Sequence, residues 1–149
     1  MRGLKTLHVR IQHSVKSAQQ LAEWLEAQHL VKTVHYPGLI THPNYQLQQE
    51  QASGAGAVLS FELVDEEILA AFVQAVKLPV FAVSLGAVES ILSYPAKMSH
   101  AAIPREEREK RGITNSLLRL SVGLESTDDL IQDFSEALEA CQVQLSTSV

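Results

Sequence analysis

Apolar residues recur at three- and four-residue steps from Leu4 through Leu7, Ile11, Val15, Ala18, Ala22 and Leu25, with no proline or interior glycine among them. The spacing predicts one long helix from Leu4 to about Gln28. A helix of this length at the start of a short chain suggests contact with something outside its own domain. Val31 to Tyr36 reads as a short strand stopped by the turn signal Pro37-Gly38. Thr41-His42-Pro43 opens a polar helix reaching about Gln51. Ser53-Gly54-Ala55-Gly56 lacks the third glycine of a nucleotide loop and leads to a strand where a helix would be needed, so it reads as a flexible approach to the strand Val58 to Leu63. Leu59, Phe61 and Leu63 share one face of that strand.

Asp65 is placed to cap a helix whose acidic first turn, Glu66-Glu67, suits the positive end of the helix dipole. Ile68, Leu69, Phe72, Val73 and Val76 form its apolar stripe, and Leu78-Pro79 ends it. Val80 to Leu85 reads as a strand stopped by Gly86, and Tyr94 to His100 as a loop. Pro104, the acids Glu106 and Glu107, the bases Lys110 and Arg111, and Gly112 punctuate a short helix. From Leu117 to Gly123, alternation puts Leu118, Leu120 and Val122 on one face of a half-buried strand and Arg119 on the other. Ser126 or Thr127 caps a last helix, with Asp128 and Asp129 in its first turn and Leu130, Ile131, Phe134, Leu138 and Cys141 facing the core. Fraying is expected from Gln142. The pattern implies an α/β fold of the α+β type, with about four strands in one mixed or antiparallel sheet, helices packed on one face and a long N-terminal helix. No repeat or linker marks a second domain within residues 1–149.

The length of 149 residues suffices for one domain with its own core, and 46% hydrophobic with 19% charged residues describes a soluble globular chain. A net charge of −5 gives no electrostatic case for nucleic acid or an anionic membrane. No secretory signal or membrane-length apolar run is present, and one cysteine forms no internal disulfide, so a reducing cytoplasmic setting is expected. Cys141 reads as a buried structural thiol. The six histidines show no clustered ligand spacing, His8 and His13 being five apart and on different helix faces. No metal site is expected. Arg119 has two readings. It is either an outward charge on a solvated sheet face or a fixed fork for a carboxylate or phosphate, and pattern alone does not choose between them.

Several blocks, in order, resemble a known family. They are Arg2-Gly3-Leu4-Lys5-Thr6-Leu7, Tyr36-Pro37-Gly38-Leu39 with His42-Pro43, Ser53-Gly54 before Phe61-Glu62-Leu63, Ser84-Leu85-Gly86-Ala87-Val88-Glu89-Ser90, Tyr94-Pro95-Ala96-Lys97-Met98-Ser99-His100, Pro104-Arg105-Glu106-Glu107-Arg108, Gly112-Ile113, and Leu118-Arg119-Leu120-Ser121-Val122-Gly123-Leu124-Glu125. Nearly the whole chain thus resembles the C-terminal domain of the pyridoxal-phosphate enzymes of cysteine and methionine metabolism, the family of cystathionine β-lyase, cystathionine γ-synthase, cystathionine γ-lyase and methionine γ-lyase.

The resemblance implies the small, substrate-side domain of fold-type I pyridoxal-phosphate enzymes over residues 1–149, with residues 1–28 bridging to a cofactor domain upstream. It implies that Arg119 pairs with the α-carboxylate of an amino-acid substrate and that Ser84 helps through its backbone. None of Lys5, Lys16, Lys32, Lys77, Lys97 and Lys110 matches the family's cofactor-lysine context, so no catalytic or cofactor-binding residue is assigned here and the chain alone is expected to be inactive and without bound pyridoxal phosphate. Members acting at Cγ of cystathionine commonly carry glutamate directly before Ser-Leu-Gly, where this chain has Val83, an apolar residue as in β-lyases and methionine γ-lyases. The resemblance therefore points to cleavage of L-cystathionine to homocysteine, pyruvate and ammonia in methionine biosynthesis, by an intact homotetramer in the cytoplasm. Methionine γ-lyase, cystathionine γ-synthase or γ-lyase, and a sulfhydrylase are rivals within the family. A non-catalytic amino-acid-binding or assembly module is the rival from another class.

Overall fold

Apolar alternation and helical stripes meet on one side of a single sheet. In the computed structural model, which describes residues 2–147, the sheet strands are β1 (Val31–His35), β2 (Val58–Leu63), β3 (Val80–Phe81), β4 (Ile91–Ser93) and β5 (Leu117–Ser121), in the order β1-β2-β5-β4-β3. All neighbours are antiparallel except β3 and β4. The helices are α1 (Leu7–Glu26), α2 (Tyr45–Gln51), α3 (Leu69–Ala75), α4 (Arg105–Lys110) and α5 (Thr127–Thr147). Leu59, Phe61 and Leu63 of β2, Leu92 of β4, and Leu118 and Leu120 of β5 pack against the buried stripes of α1, α3 and α5. At the centre Phe61, Phe72 and Phe134 meet with ring centroids 5.4–6.1 Å apart, two of the three pairs edge to face.

The fold class is as the pattern implies, with helices on one face of a mixed sheet, but the strand count is five rather than four. Ile91-Leu92-Ser93 is too short to show a period, and only its pairing with β5 and β3 makes it a strand. The strand expected from Val80 to Leu85 stops at Phe81, because the chain then leaves the edge to cross the sheet. The first helix begins with a 3-10 turn at Gly3–Thr6 and ends at Glu26, while α2 starts only at Tyr45 after consecutive turns. Asp65 acts ahead of α3, its Oδ1 accepting the Glu67 N–H at 2.9 Å. The Ser53–Gly56 approach is pinned on its carbonyls by Gln48 Nε2 on Gly54 at 2.7 Å and by the Tyr36 hydroxyl on Gly56 at 2.8 Å.

Ser126 is the cap of α5, with Asp129 N 3.5 Å from its Oγ. That helix continues past Gln142 to Thr147 because its stripe extends to Leu145, which packs on the core; the expectation of fraying for residues 148 and 149 lies outside the described residues. Cys141 is buried with Sγ 3.5 Å from the Ile68 carbonyl, and burial pushes its thiol up to about 11.

Asp133 on α5 is buried and receives the backbone N–H groups of Lys77 (3.0 and 3.1 Å to its two oxygens) and Leu78 (3.0 Å), fixing the turn that delivers the chain into β3. Asp133→Ala leaves these amides without their acceptor and is expected to lower unfolding free energy by about 2–3 kcal/mol, read by urea denaturation, whereas Asp133→Asn retains part of the loss. Tyr36 is buried, and desolvation, with the nearby Glu23 charge, raises its hydroxyl from 10.0 to about 12. Its neutral form is favoured by the fold, so this contribution is full below pH 10 and falls as pH rises toward about 12. Thermal melts of the chain should lose about 2 kcal/mol across that window, and Tyr36→Phe should flatten the decline.

Candidate functional site

Alternation along β5 turns Leu118 and Leu120 into the core and leaves Leu117, Arg119 and Ser121 on the opposite face. Antiparallel pairing sets Ser93 of β4 and Ser60 of β2 opposite Arg119, and Ile91 opposite Ser121. β3 and β4 are parallel neighbours, and a parallel pair cannot be joined by a tight turn. The connection over residues 82–90 therefore crosses the face that carries Arg119, and it does so without a helix.

Arg119 is where the crossing chain and the sheet meet. Its Nη2 donates to the Ser84 carbonyl at 2.9 Å and to Ser93 Oγ at 3.1 Å. Its Nε is sealed from solvent without a partner, an unmade hydrogen bond that costs about 1–3 kcal/mol. Nη1 donates to no described residue and is not sealed, so it is the nitrogen ready to meet an anion. A two-pronged grip on a carboxylate needs a second nitrogen. Nη2 supplies one only by releasing Ser93 or Ser84, since both its hydrogens are already donated.

The structure thus brings Arg119 and Ser84 together through the Ser84 carbonyl, and it leaves the neighbouring Val83 61% exposed. The pattern had not singled out Ser93 or Ser121. Ser121 was within reach, being two residues from Arg119 in a strand; Ser93 was not, because β4 has no signal of its own.

The far end of the crossing is clamped by Glu125, whose Oε1 and Oε2 accept Ser90 N at 2.6 Å and Ser90 Oγ at 2.7 Å. Ser90 Oγ in turn accepts Gly123 N at 2.9 Å, and Leu124 N donates to the Val88 carbonyl at 2.8 Å. Gly123 is needed for this approach, because a Cβ there would stand 2.5 Å from Ser90 N. Its carbonyl accepts Ser14 Oγ at 2.8 Å, tying α1 to the same turn.

Another arginine, Arg108, is buried and structural. It donates to the Ile113 carbonyl at 3.3 Å and Asn115 Oδ1 at 2.9 Å, and the Tyr94 hydroxyl donates to the Asn115 carbonyl at 2.8 Å. Trp24 packs against the core. Every lysine is exposed, and the Lys77 amine is raised, chiefly by its hydrogen bond to Glu136, the wrong direction for an amine that must condense with an aldehyde. The lysines present therefore do not suit pyridoxal phosphate. Among the described residues no three histidine, cysteine, aspartate or glutamate side chains come together to hold a metal, and no helix is long and apolar enough to cross a membrane.

A family model described as Cys/Met metabolism PLP-dependent enzyme matches residues 1–139. The chain belongs to that family. It is similar to cystathionine beta-lyase MetC of Bacillus subtilis (strain 168), 61% identical over 93% of this chain and 36% of the relative. Cystathionine gamma-lyase of the same organism is 46% identical over 93% of this chain and 37% of the relative. Among solved structures, cystathionine gamma synthase from Xanthomonas oryzae pv. oryzae in complex with cystathionine superposes with a TM-score of 0.91 at 42% identity, covering 95% of this chain and 37% of that one. The chain thus spans a little over a third of the length of these pyridoxal-phosphate-dependent relatives.

Gly123→Ala is expected to push the crossing segment off β5 and destabilise the fold by about 1–3 kcal/mol, measured by chemical denaturation, with the largest amide shift changes at Val88–Ser90.

Proposed function

We propose that residues 1–149 are the C-terminal, substrate-side domain of a longer cytoplasmic, homotetrameric carbon-sulfur lyase, in which residues 1–28 bridge to the cofactor domain, and that the intact enzyme cleaves L-cystathionine to homocysteine, pyruvate and ammonia. The observation that carries the reading is Arg119, a guanidinium fixed by Ser84 and Ser93 with Nη1 still unengaged on an open face of the sheet. Pyridoxal phosphate, bound by the other domain, supplies the electron sink for the elimination. This chain's part is to hold. Arg119 binds the α-carboxylate of the amino acid, the Ser84 carbonyl keeps the guanidinium in register, and a fixed carboxylate orients the rest of the substrate.

Exposed apolar residues support a missing neighbour. Leu4, Val9 and Ile11 on the first turns of the chain, and Val83, Leu85 and Val88 around Arg119, are exposed rather than turned to the core. Val83 offers no carboxylate to the distal ammonium of cystathionine, and this favours β-elimination; the 61% identity to a β-lyase supports the same reading.

The full-length enzyme should release pyruvate from L-cystathionine and be much less active on methionine and O-acyl-homoserine assayed in parallel; failure on cystathionine alone rejects the assignment. Arg119→Ala should lower kcat/KM by about 30-fold or more, the loss expected when one member of a desolvated charge pair is removed. Saturable amino-acid binding by the 149-residue chain on its own, abolished by the same substitution, would instead favour a free-standing binding module.

A further inference from the structure

We propose that Ser121 is a positioning residue for the amino-acid site, its hydroxyl holding the Gly86 N–H so that the crossing segment presents the Ser84 carbonyl to Arg119. The inference rests on the reading of Arg119 as the carboxylate clamp. Ser121 Oγ accepts Gly86 N at 2.8 Å, and Ser121 is 1% exposed. Arg119 and Ser121 stand two residues apart on the same face of β5, and their partners Ser84 and Gly86 are also two residues apart. The segment is therefore held beside the strand by two side-chain rungs of matched spacing.

Little else holds it there. Val83, Leu85 and Val88 are exposed, so no large apolar side chain anchors the segment, and its remaining described ties lie toward its ends: Ala82 N to the Leu92 carbonyl at 3.1 Å on one side, and on the other Leu124 N to the Val88 carbonyl at 2.8 Å with the Ser90 bonds to Glu125, Gly123 and Val80. Gly86 sits at φ +77°, a conformation that suits glycine, and nothing stands within 4 Å of the position a Cβ would take. Nothing crowds the Cβ position of Gly86, and the Ser121 hydroxyl holds the bend there.

The consequence reaches the ligand through Arg119. With Gly86 held, the Ser84 carbonyl occupies one hydrogen of Nη2, the Ser93 hydroxyl occupies the other, and the guanidinium plane is fixed with Nη1 outward. With Gly86 released, the carbonyl drifts from Nη2 and the guanidinium is no longer pre-set, so each binding event must first order the segment. Ordering charged to binding and regained equally in the transition state raises KM and leaves kcat alone. A hydroxyl that merely stabilised the fold would change neither constant selectively.

The test uses Ser121→Ala and Ser121→Thr in the full-length enzyme, with Arg119→Ala as control, together with amide hydrogen exchange on the 149-residue chain. Ser121→Ala should raise the amino-acid KM about tenfold with kcat within about twofold, and speed exchange at Gly86 about tenfold while core amides of β2 and β5 keep their protection. Threonine keeps the acceptor and should restore both readouts. An unchanged KM with Ser121→Ala overturns the proposal, whether or not Gly86 exchange rises, because the hydroxyl then holds the segment without serving the site. If Ser121→Ala unfolds the domain, the threonine variant decides: wild-type KM and Gly86 protection support the role, and a raised KM with Gly86 still protected overturns it. Should Arg119→Ala leave KM and kcat unaltered, the carboxylate-clamp reading itself fails, an outcome distinct from a silent Ser121→Ala beside a crippled Arg119→Ala.

Discussion

The register of β5 between β2 and β4 is the constraint on which this domain depends. Both edges of β5 are paired, so Arg119 is fixed opposite Ser60 on one side and Ser93 on the other. A slip of one residue would turn Arg119 into the space filled by Leu118 and Leu120 and push those leucines onto the opposite face. Core burial and the placing of Arg119 are thus two faces of one decision. The Phe61, Phe72 and Phe134 cluster stabilises the side that water must not reach, and by doing so it holds the guanidinium on the side a ligand can reach.

Parallel pairing of β3 with β4 supplies the second half of the arrangement. An antiparallel hairpin would have kept residues 82–90 at the sheet edge, whereas the parallel pair sends them across the Arg119 face. Polar ties decide where the crossing settles: Asp133 fixes its start, Arg119 and Ser121 its middle, and Glu125 with Ser90 its end. Side chains that usually bury a crossover are here exposed, which fits a surface completed by another domain. Membership of the pyridoxal-phosphate enzymes of cysteine and methionine metabolism gives that surface its context, since the chain spans only a little over a third of its relatives.

Burial and hydrogen bonding move several side chains away from their ordinary pKa values. Buried Tyr36 and Cys141 are pushed up in pKa by desolvation and stay neutral near pH 7. Lys77 is raised by its bond to Glu136 and stays charged. These shifts stabilise or seal, and none prepares a nucleophile or a base.

Sequence by itself determined the helices with continuous stripes, the alternation that sets Arg119 against Leu118 and Leu120, and the family, because each is written in local spacing or in ordered blocks of residues. Val83, Ser84 and Arg119 were legible as candidates for the same reason. Tertiary structure alone decided that Ile91–Ser93 is a strand, that Val80 to Leu85 breaks after Phe81, and that α5 runs on to Thr147. It alone brought Ser93, Ser121 and Glu125 to the segment beside Arg119. Those bonds join residues 26 to 35 positions apart, and no local period encodes a partner at that distance; it takes the pairing of β4 with β5 to bring them within reach.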